Sequence, residues 1–280
     1  MSWADALNAA IKDVPSIPRV RFDVGWYDGA DNWILRKHVN GAVHEPAMIA
    51  AFLAVARKHG LATVYDVGAL YGYFSLVAQQ LGATRVVAFE IHPAAIKPLM
   101  RNVPNLLCIQ AAVTNQTRFR TKVWLSGFNI YEEPEGGWDR LADVPGAMKE
   151  RGLNNRGRGF VEIDLVSIDD CIAGLKLAPP DLIKIDVEGY QAKAILGGME
   201  TFRKRGPFIV IELHDPEKLA RFGTSNAATV QPLLDLGYRG FWCGNHRAAD
   251  AQFQAVDRLG EEHERLSIMV LVPKEKEHLA

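Results

Sequence analysis

Cysteine is scarce: the 280 residues hold three (Cys108, Cys171, Cys243), none in a Cys-x-x-Cys spacing. That excludes a disulfide framework and a zinc knuckle, and fits buried thiols in a reducing compartment. No apolar run approaches the roughly 20 residues that span a bilayer. The start, Met1-Ser2-Trp3-Ala4-Asp5-Ala6-Leu7, lacks the basic residues and apolar block of a signal peptide. A soluble, cytoplasmic protein with no membrane partner is therefore expected. An excess of one charge is missing too. With 32 Lys+Arg against 33 Asp+Glu, the net charge of −1 offers nothing global to nucleic acid. Internal repeats and low-complexity tracts are absent. What is present is a 48% hydrophobic composition, enough for the core of one large α/β domain or two small ones at roughly 150 residues each.

The richest stretch is Val64-Tyr65-Asp66-Val67-Gly68-Ala69-Leu70-Tyr71-Gly72-Tyr73-Phe74-Ser75. An apolar strand (61–67) enters a turn with glycines at 68 and 72, and a helix (71–81) follows. Unpaired backbone N–H groups at such a helix start make a nucleotide cradle. Asp66, just before the turn, would repel a pyrophosphate and attract a ligand carrying an ammonium group, which favours S-adenosylmethionine over a dinucleotide. The dinucleotide fingerprint Gly-x-Gly-x-x-Gly also fails, because Leu70 and Tyr73 occupy its second and third glycine positions. Glu90 ends the next strand (84–90), about 20 residues beyond the turn, where a carboxylate suits ribose hydroxyls.

Around this unit, strands alternate with helices in the manner of a parallel sheet. Residues 1–44 are punctuated by Pro15, Pro18, Gly25, Gly29 and Gly41 among Phe22, Trp26, Tyr27 and Trp33. They read as an extension of short strands or loose chain packing on the core, whose aromatics could cover a partner in an oligomer. Residues 45–280 read as one Rossmann-like domain with core strands at 61–67, 84–90, 106–113, 181–186 and 208–213. Strands at 238–243 and 266–272 are expected to pair antiparallel near one edge. Segment 127–159 is a long insertion between strands 119–125 and 160–166, acidic at first and basic at its end. Phe128, Tyr131 and Trp138 could stack there on a sugar or ring, or the insertion is simply solvated.

Ligands in such sheets sit at the carboxyl ends of the strands near the topological switch point. That gathers Asp66, Glu90, Asp186 with Glu188, and Glu212 with His214. Asp186 or His214 is a candidate base. Asp186, Glu188 and His214 offer oxygen and imidazole ligands to a divalent ion, but their spacing does not demand one and no metal is expected.

The residues resemble the FkbM family of methyltransferases. Asp66-Val67-Gly68-Ala69 followed by Gly72-Tyr73-Phe74-Ser75 resembles its first motif, and Ala88-Phe89-Glu90-Ile91-His92-Pro93 its second-strand motif. Leu182-Ile183-Lys184-Ile185-Asp186-Val187-Glu188-Gly189 is similar to its most distinctive segment. Ser167-Ile168-Asp169-Asp170 and Ile211-Glu212-Leu213-His214 also match, so the likeness spans roughly 45–240. Leu70 and Tyr71 depart from the family's usual Asn and Ile. The resemblance implies a seven-stranded, mostly parallel Rossmann-like sheet with one antiparallel strand near an edge. It also implies O-methylation of a small molecule or sugar. On this reading Gly68, Ala69, Tyr71 and Gly72 contact S-adenosylmethionine, and Asp66 faces its amino group. Glu90 holds the ribose hydroxyls, Ile91 is a further cofactor contact, Ala111 borders the adenine, and Asp186 lies between cofactor and acceptor. Asp186, His214 and Glu188 would be catalytic. The alternatives are a nicotinamide-dependent oxidoreductase on a similar sheet and a catalytically silent binding protein.

Overall fold

A computed structural model describes residues 1–14, 43–126, 129–133 and 158–277. It opens with helix α1 (Trp3–Asp13), where composition predicts short strands or loose chain. The helix forms because Ser2 Oγ accepts from Asp5 N–H while the Asp5 carboxylate accepts from Ser2 N–H, a reciprocal cap. Trp3, Leu7, Ala10 and Ile11 then fall on one buried face against helix α2 (Pro46–His59). The prolines and glycines that argue against a helix begin only at residue 15. Phe22, Trp26, Tyr27 and Trp33 lie outside the described residues, as do Phe128 and Trp138.

The alternating part runs β1 (Thr63–Val67), α3 (Tyr73–Gln80), β2 (Arg85–Phe89), α4 (Pro93–Asn102) and β3 (Leu107–Ile109). Strands β4 (Ala111–Val113), β5 (Arg118–Ser126), β6 (Asn129–Tyr131) and β7 (Arg158–Val166) follow, then α5 (Ile168–Leu175) and β8 (Leu182–Ile185). Next come α6 (Gln191–Leu196), α7 (Met199–Arg205), β9 (Phe208–Leu213), α8 (Pro216–Ala220) and α9 (Asn226–Asp235). The last strands are β10 (Arg239–Cys243), β11 (Gln254–Val256) and β12 (Ser267–Val272).

The main sheet has the order β11-β10-β12-β9-β8-β1-β2-β3. Strands β9, β8, β1, β2 and β3 are parallel; β12 runs antiparallel to β9 and β10, and β11 antiparallel to β10. The sheet is α/β and mostly parallel as expected, but among the described residues it has eight strands rather than seven, and two are reversed rather than one. The extra strand, β11, is short and largely exposed, so no apolar run announces it. Successive residues point to opposite faces. Val64, Val86, Leu182 and Val210 pack with α1, α2 and α3. Tyr65, Val87, Ile183 and Ile209 pack with α5, α6, α7 and α9. Burial on both faces is why these strands read as continuous apolar runs.

The stretch 106–113, read as one strand, divides at Gln110. β3 pairs with β2, whereas β4 pairs with β7 in a second sheet of order β4-β7-β5-β6. The core of this small sheet (Val123, Leu125, Ile130, Ile163, Leu165) packs on Ile91, Val187 and Tyr190, which follow β2 and β8. It therefore overhangs the carboxyl ends of the main sheet.

Glu132 ties the overhang down by accepting from Tyr190 Oη, Lys193 Nζ and Arg118 Nη2. Burial alone would raise its pKa, but the three donors prevail and hold it at about 2. Glu188 is likewise held at about 2, where donors on His214 and Lys218 outweigh burial. Both folded values lie below the unfolded value of about 4.3. Their contribution is therefore full above that pH and is lost as pH falls toward 2. Each contributes on the order of 2–3 kcal/mol. Urea midpoints should fall as the pH drops from about 4.5 to 2. Glu132→Gln should flatten that limb.

Candidate functional site

In the main sheet the chain proceeds outward from β1 through β2 to β3, and in the other direction through β8 to β9. The switch point therefore lies between β1 and β8. A cavity opens at their carboxyl ends, walled by the turn 68–71, by Glu90 and Ile91, by 111–113, by Asp186 and Glu188 after β8 and by Glu212 near the end of β9.

The turn after β1 is shaped by close backbone approach. Gly68 has φ +80, and a Cβ there would lie 1.8 Å from the Asp186 carbonyl oxygen. Only glycine fits. Gly72 has φ +86, and its Cβ would lie 2.4 Å from Val103 Cγ2. It makes room for α4 and is not on the cavity wall. Gly68 and Ala69 donate their N–H groups to the Phe89 carbonyl, Leu70 to Glu90, and Gly72 to the Ala69 carbonyl. The cradle of unpaired donors expected here is thus absent at these four positions. Leu70 is left-handed (φ +50), a conformation that disfavours an L-residue by roughly 1–2 kcal/mol.

Glu90 holds that turn. It is 6% exposed, and its two oxygens accept from Leu70 N–H and His92 N–H, each at 2.7 Å. Burial pushes its pKa up despite these donors. Each oxygen keeps a second lone pair. Ile91, Ala111, Ala112 and Val113 give the adjoining wall an apolar surface.

Asp66 is placed otherwise than expected. It is fully buried and absent from the cavity wall. Lys184 Nζ lies 3.1 Å from its Oδ1, and Ser75 Oγ donates to its Oδ2 at 2.7 Å. Its carboxylate is already held by the protein, whereas the sequence reading has it face a ligand's ammonium group directly or through water. Asp66 and Lys184 are register partners on β1 and β8. Lys184 also donates to the Gly68 carbonyl at 2.7 Å, lies 3.7 Å from Asp186 and reaches the cavity wall. Burial alone would depress its pKa, but Asp66 and Asp186 reverse that and raise it. Sequence reasoning passed over Lys184. The available signal was a lysine inside a strand buried on both faces, which requires an acid opposite it.

Beyond Lys184 the wall is polar. Asp186 ends β8 with its side chain 24% exposed, and Glu188, Glu212, Glu45, Arg247 and Tyr190 surround that end. Arg247 bridges Glu45 (3.0 Å) and Glu212 (3.1 Å). His246 Nε2 lies 3.3 Å from Glu212. Burial, with the neighbouring carboxylates of Asp186 and Glu45, pushes the Glu212 pKa well up. Glu45, His44 and Arg247 were missed as site residues. Glu45 immediately precedes α2, and Arg247 sits in a polar stretch between strands. His214 is 1% exposed and off the cavity wall, with Nε2 3.2 Å from Glu212 and 3.4 Å from Glu188. Among the described residues, Asp186, Glu212 and His214 each bring one ligand atom within 4.8 Å of the others, as do Glu45, Glu212 and His246. Arg247 already supplies the cation in the second group.

Among proteins of known function, the chain is 28% identical over 194 residues to the AMB antimetabolite synthetase AmbE of Pseudomonas aeruginosa. The match covers 59% of this chain and only 9% of the synthetase. A crystal structure of methyltransferase FkbM from Methylobacillus flagellatus aligns with 96% of this chain and 60% of its own, at 12% identity and a TM-score of 0.41. The O-methyltransferase from Bacillus cereus in complex with SAH aligns with 96% of this chain and 89% of its own, at 14% identity and a TM-score of 0.38. Among the described residues no helix is long and apolar enough to cross a membrane. The model of the methyltransferase FkbM domain matches residues 66–239, well over half of the sequence, and the chain belongs to that family.

Proposed function

We propose that the protein methylates a hydroxyl oxygen of a small molecule or sugar with S-adenosylmethionine as donor. One observation carries the reading: a single cavity at the switch point joins Glu90 on the β2 side to a cluster of acids at the carboxyl ends of β8 and β9. Gly68 supports it, since it stands on the cavity wall and, lacking a Cβ, lets the turn close against the Asp186 carbonyl. So do the paired N–H groups of the turn, which leave a diphosphate few donors to meet.

Bound S-adenosylmethionine would supply a methyl group already activated on a sulfonium for in-line displacement. The chain's task is alignment and exclusion of water. Gly68, Ala69 and Tyr71 form the shelf, Glu90 accepts from the ribose hydroxyls, and Ile91 with Ala111 borders the adenine. Asp66 acts from behind, by holding Lys184. Asp186 accepts the proton that the acceptor hydroxyl gives up, and Glu188 stands beside it. The carboxylates at this end are hydrogen-bond acceptors, which suits a partner rich in hydroxyl groups.

Calorimetric titration with S-adenosylmethionine and with NADH tests the donor, and labelled-methyl transfer into cell extracts tests the acceptor class. Micromolar binding of NADH with none of S-adenosylmethionine would select the oxidoreductase; binding of the donor without transfer would select a silent binding protein. Glu90→Ala should weaken donor binding by about 1.5–3 kcal/mol, the range for hydrogen bonds to a charged group. It also orphans the N–H groups of Leu70 and His92, so titration should be run well below the variant's melting temperature. Unchanged affinity would remove Glu90 from the site.

A further inference from the structure

The buried surroundings of His214 fix where its proton sits. Gln191, the first residue of α6, is fully buried. Its side-chain nitrogen lies 2.7 Å from the Glu212 carbonyl oxygen. A carbonyl can only accept, so the group facing it must be the amide NH2. The opposite orientation would set two carbonyl oxygens against each other. The same amide nitrogen faces His214 Nδ1. An amide nitrogen has no lone pair to offer, so Nδ1 must accept and carries no proton. The proton of the neutral ring is therefore on Nε2, which points between Glu212 Oε2 at 3.2 Å and Glu188 Oε2 at 3.4 Å.

We propose that Gln191 locks His214 as the Nε2–H tautomer, and that His214 is a positioning residue which ties Glu188 to Glu212. This deepens the methyl-transfer reading and rests on it for the part Asp186 plays. A ring whose Nε2 bears the proton has no lone pair there to take one from an acceptor hydroxyl. Asp186, on the cavity wall, is left as the base. The same tautomer withholds Nε2 from a divalent ion, so Asp186 and Glu212 lack their imidazole third ligand. The groups facing this ring are few. Glu188 carries Lys218 on the same oxygen, Glu212 carries Arg247 and His246, and Asn226 accepts from the His214 backbone N–H at 3.2 Å. No cation borders Nδ1 among the contacts described, and a proton there would confront the Gln191 NH2.

The test is ¹⁵N NMR of the full chain labelled at histidine, at pH 7.5, with His214→Gln used to assign the signal. The expected result is a neutral ring protonated on Nε2 alone. A neutral ring protonated on Nδ1, or a doubly protonated ring, would overturn the proposal. Gln191→Glu gives a second arm, because a carboxylate there accepts and should move a proton onto Nδ1. If that variant folds and Nδ1 stays bare, Gln191 is not the lock and the proposal fails; if it does not fold, the wild-type spectrum decides alone. Adding S-adenosylmethionine to a second, uniformly ¹⁵N-labelled sample keeps the two readings apart. Absence of shifts at the Leu70 and His92 amides would sink the methyl-transfer reading while leaving the tautomer assignment standing.

Discussion

Lys184→Met is expected to destabilise the protein by about 3–5 kcal/mol, the loss typical when one partner of a buried ion pair is removed. Methionine fills nearly the same volume, so cavity formation contributes little. The cost comes from Asp66, which has no exposed surface and keeps only the Ser75 hydroxyl. The Gly68 carbonyl also loses its donor. A second change isolates the cause. In Asp66→Asn with Lys184→Met, the Asp66 carboxylate is no longer left without its cation, and much of the loss should return. Urea midpoints of the two variants and the wild type are the measurement. A single variant within about 1 kcal/mol of wild type would mean that the pair is worth no more than a surface salt bridge.

Asp186→Asn should act on turnover. General-base assistance contributes about 10²–10⁴-fold, so turnover should fall by that order while donor affinity changes little. Asparagine keeps the shape and the backbone contact of residue 186 with Gly68, which runs through the main chain. It removes the charge facing Lys184 and Glu212. Labelled-methyl transfer and donor calorimetry on the same preparation separate the two quantities. Equal loss of both would make Asp186 a donor ligand rather than an acceptor-side base.

Much of this arrangement was readable in the residues, for definite reasons. Parallel strands buried on both faces announce themselves as apolar runs, and an acid that ends such a run must stand at the sheet's rim. Glu90, Asp186, Glu188 and Glu212 were placed there by that logic, and they do share one cavity. The failures are of another kind. Glu45 and Arg247 are 202 positions apart, and nothing local in either reveals the other. Gly72 looked like a ligand-facing glycine because spacing does not distinguish a helix behind the turn from a ligand in front of it. Asp66 and His214 were assigned by their position at strand ends, yet a side chain there can turn inward when a buried lysine or glutamine receives it. Strand β11 escaped notice because an edge strand of three residues needs no apolar pattern.

The ladder between β1 and β8 pairs Asp66 with Lys184 and Val67 with Ile185, and the Asp186 N–H donates to the Val67 carbonyl at 3.0 Å. The turn proposed to hold the donor and the proposed base thus hang from adjacent rungs. Their separation is set by main-chain geometry that side-chain replacement leaves alone. Selection for a new acceptor is free to rebuild the overhanging small sheet and its flanks without retuning the reach of the reaction itself.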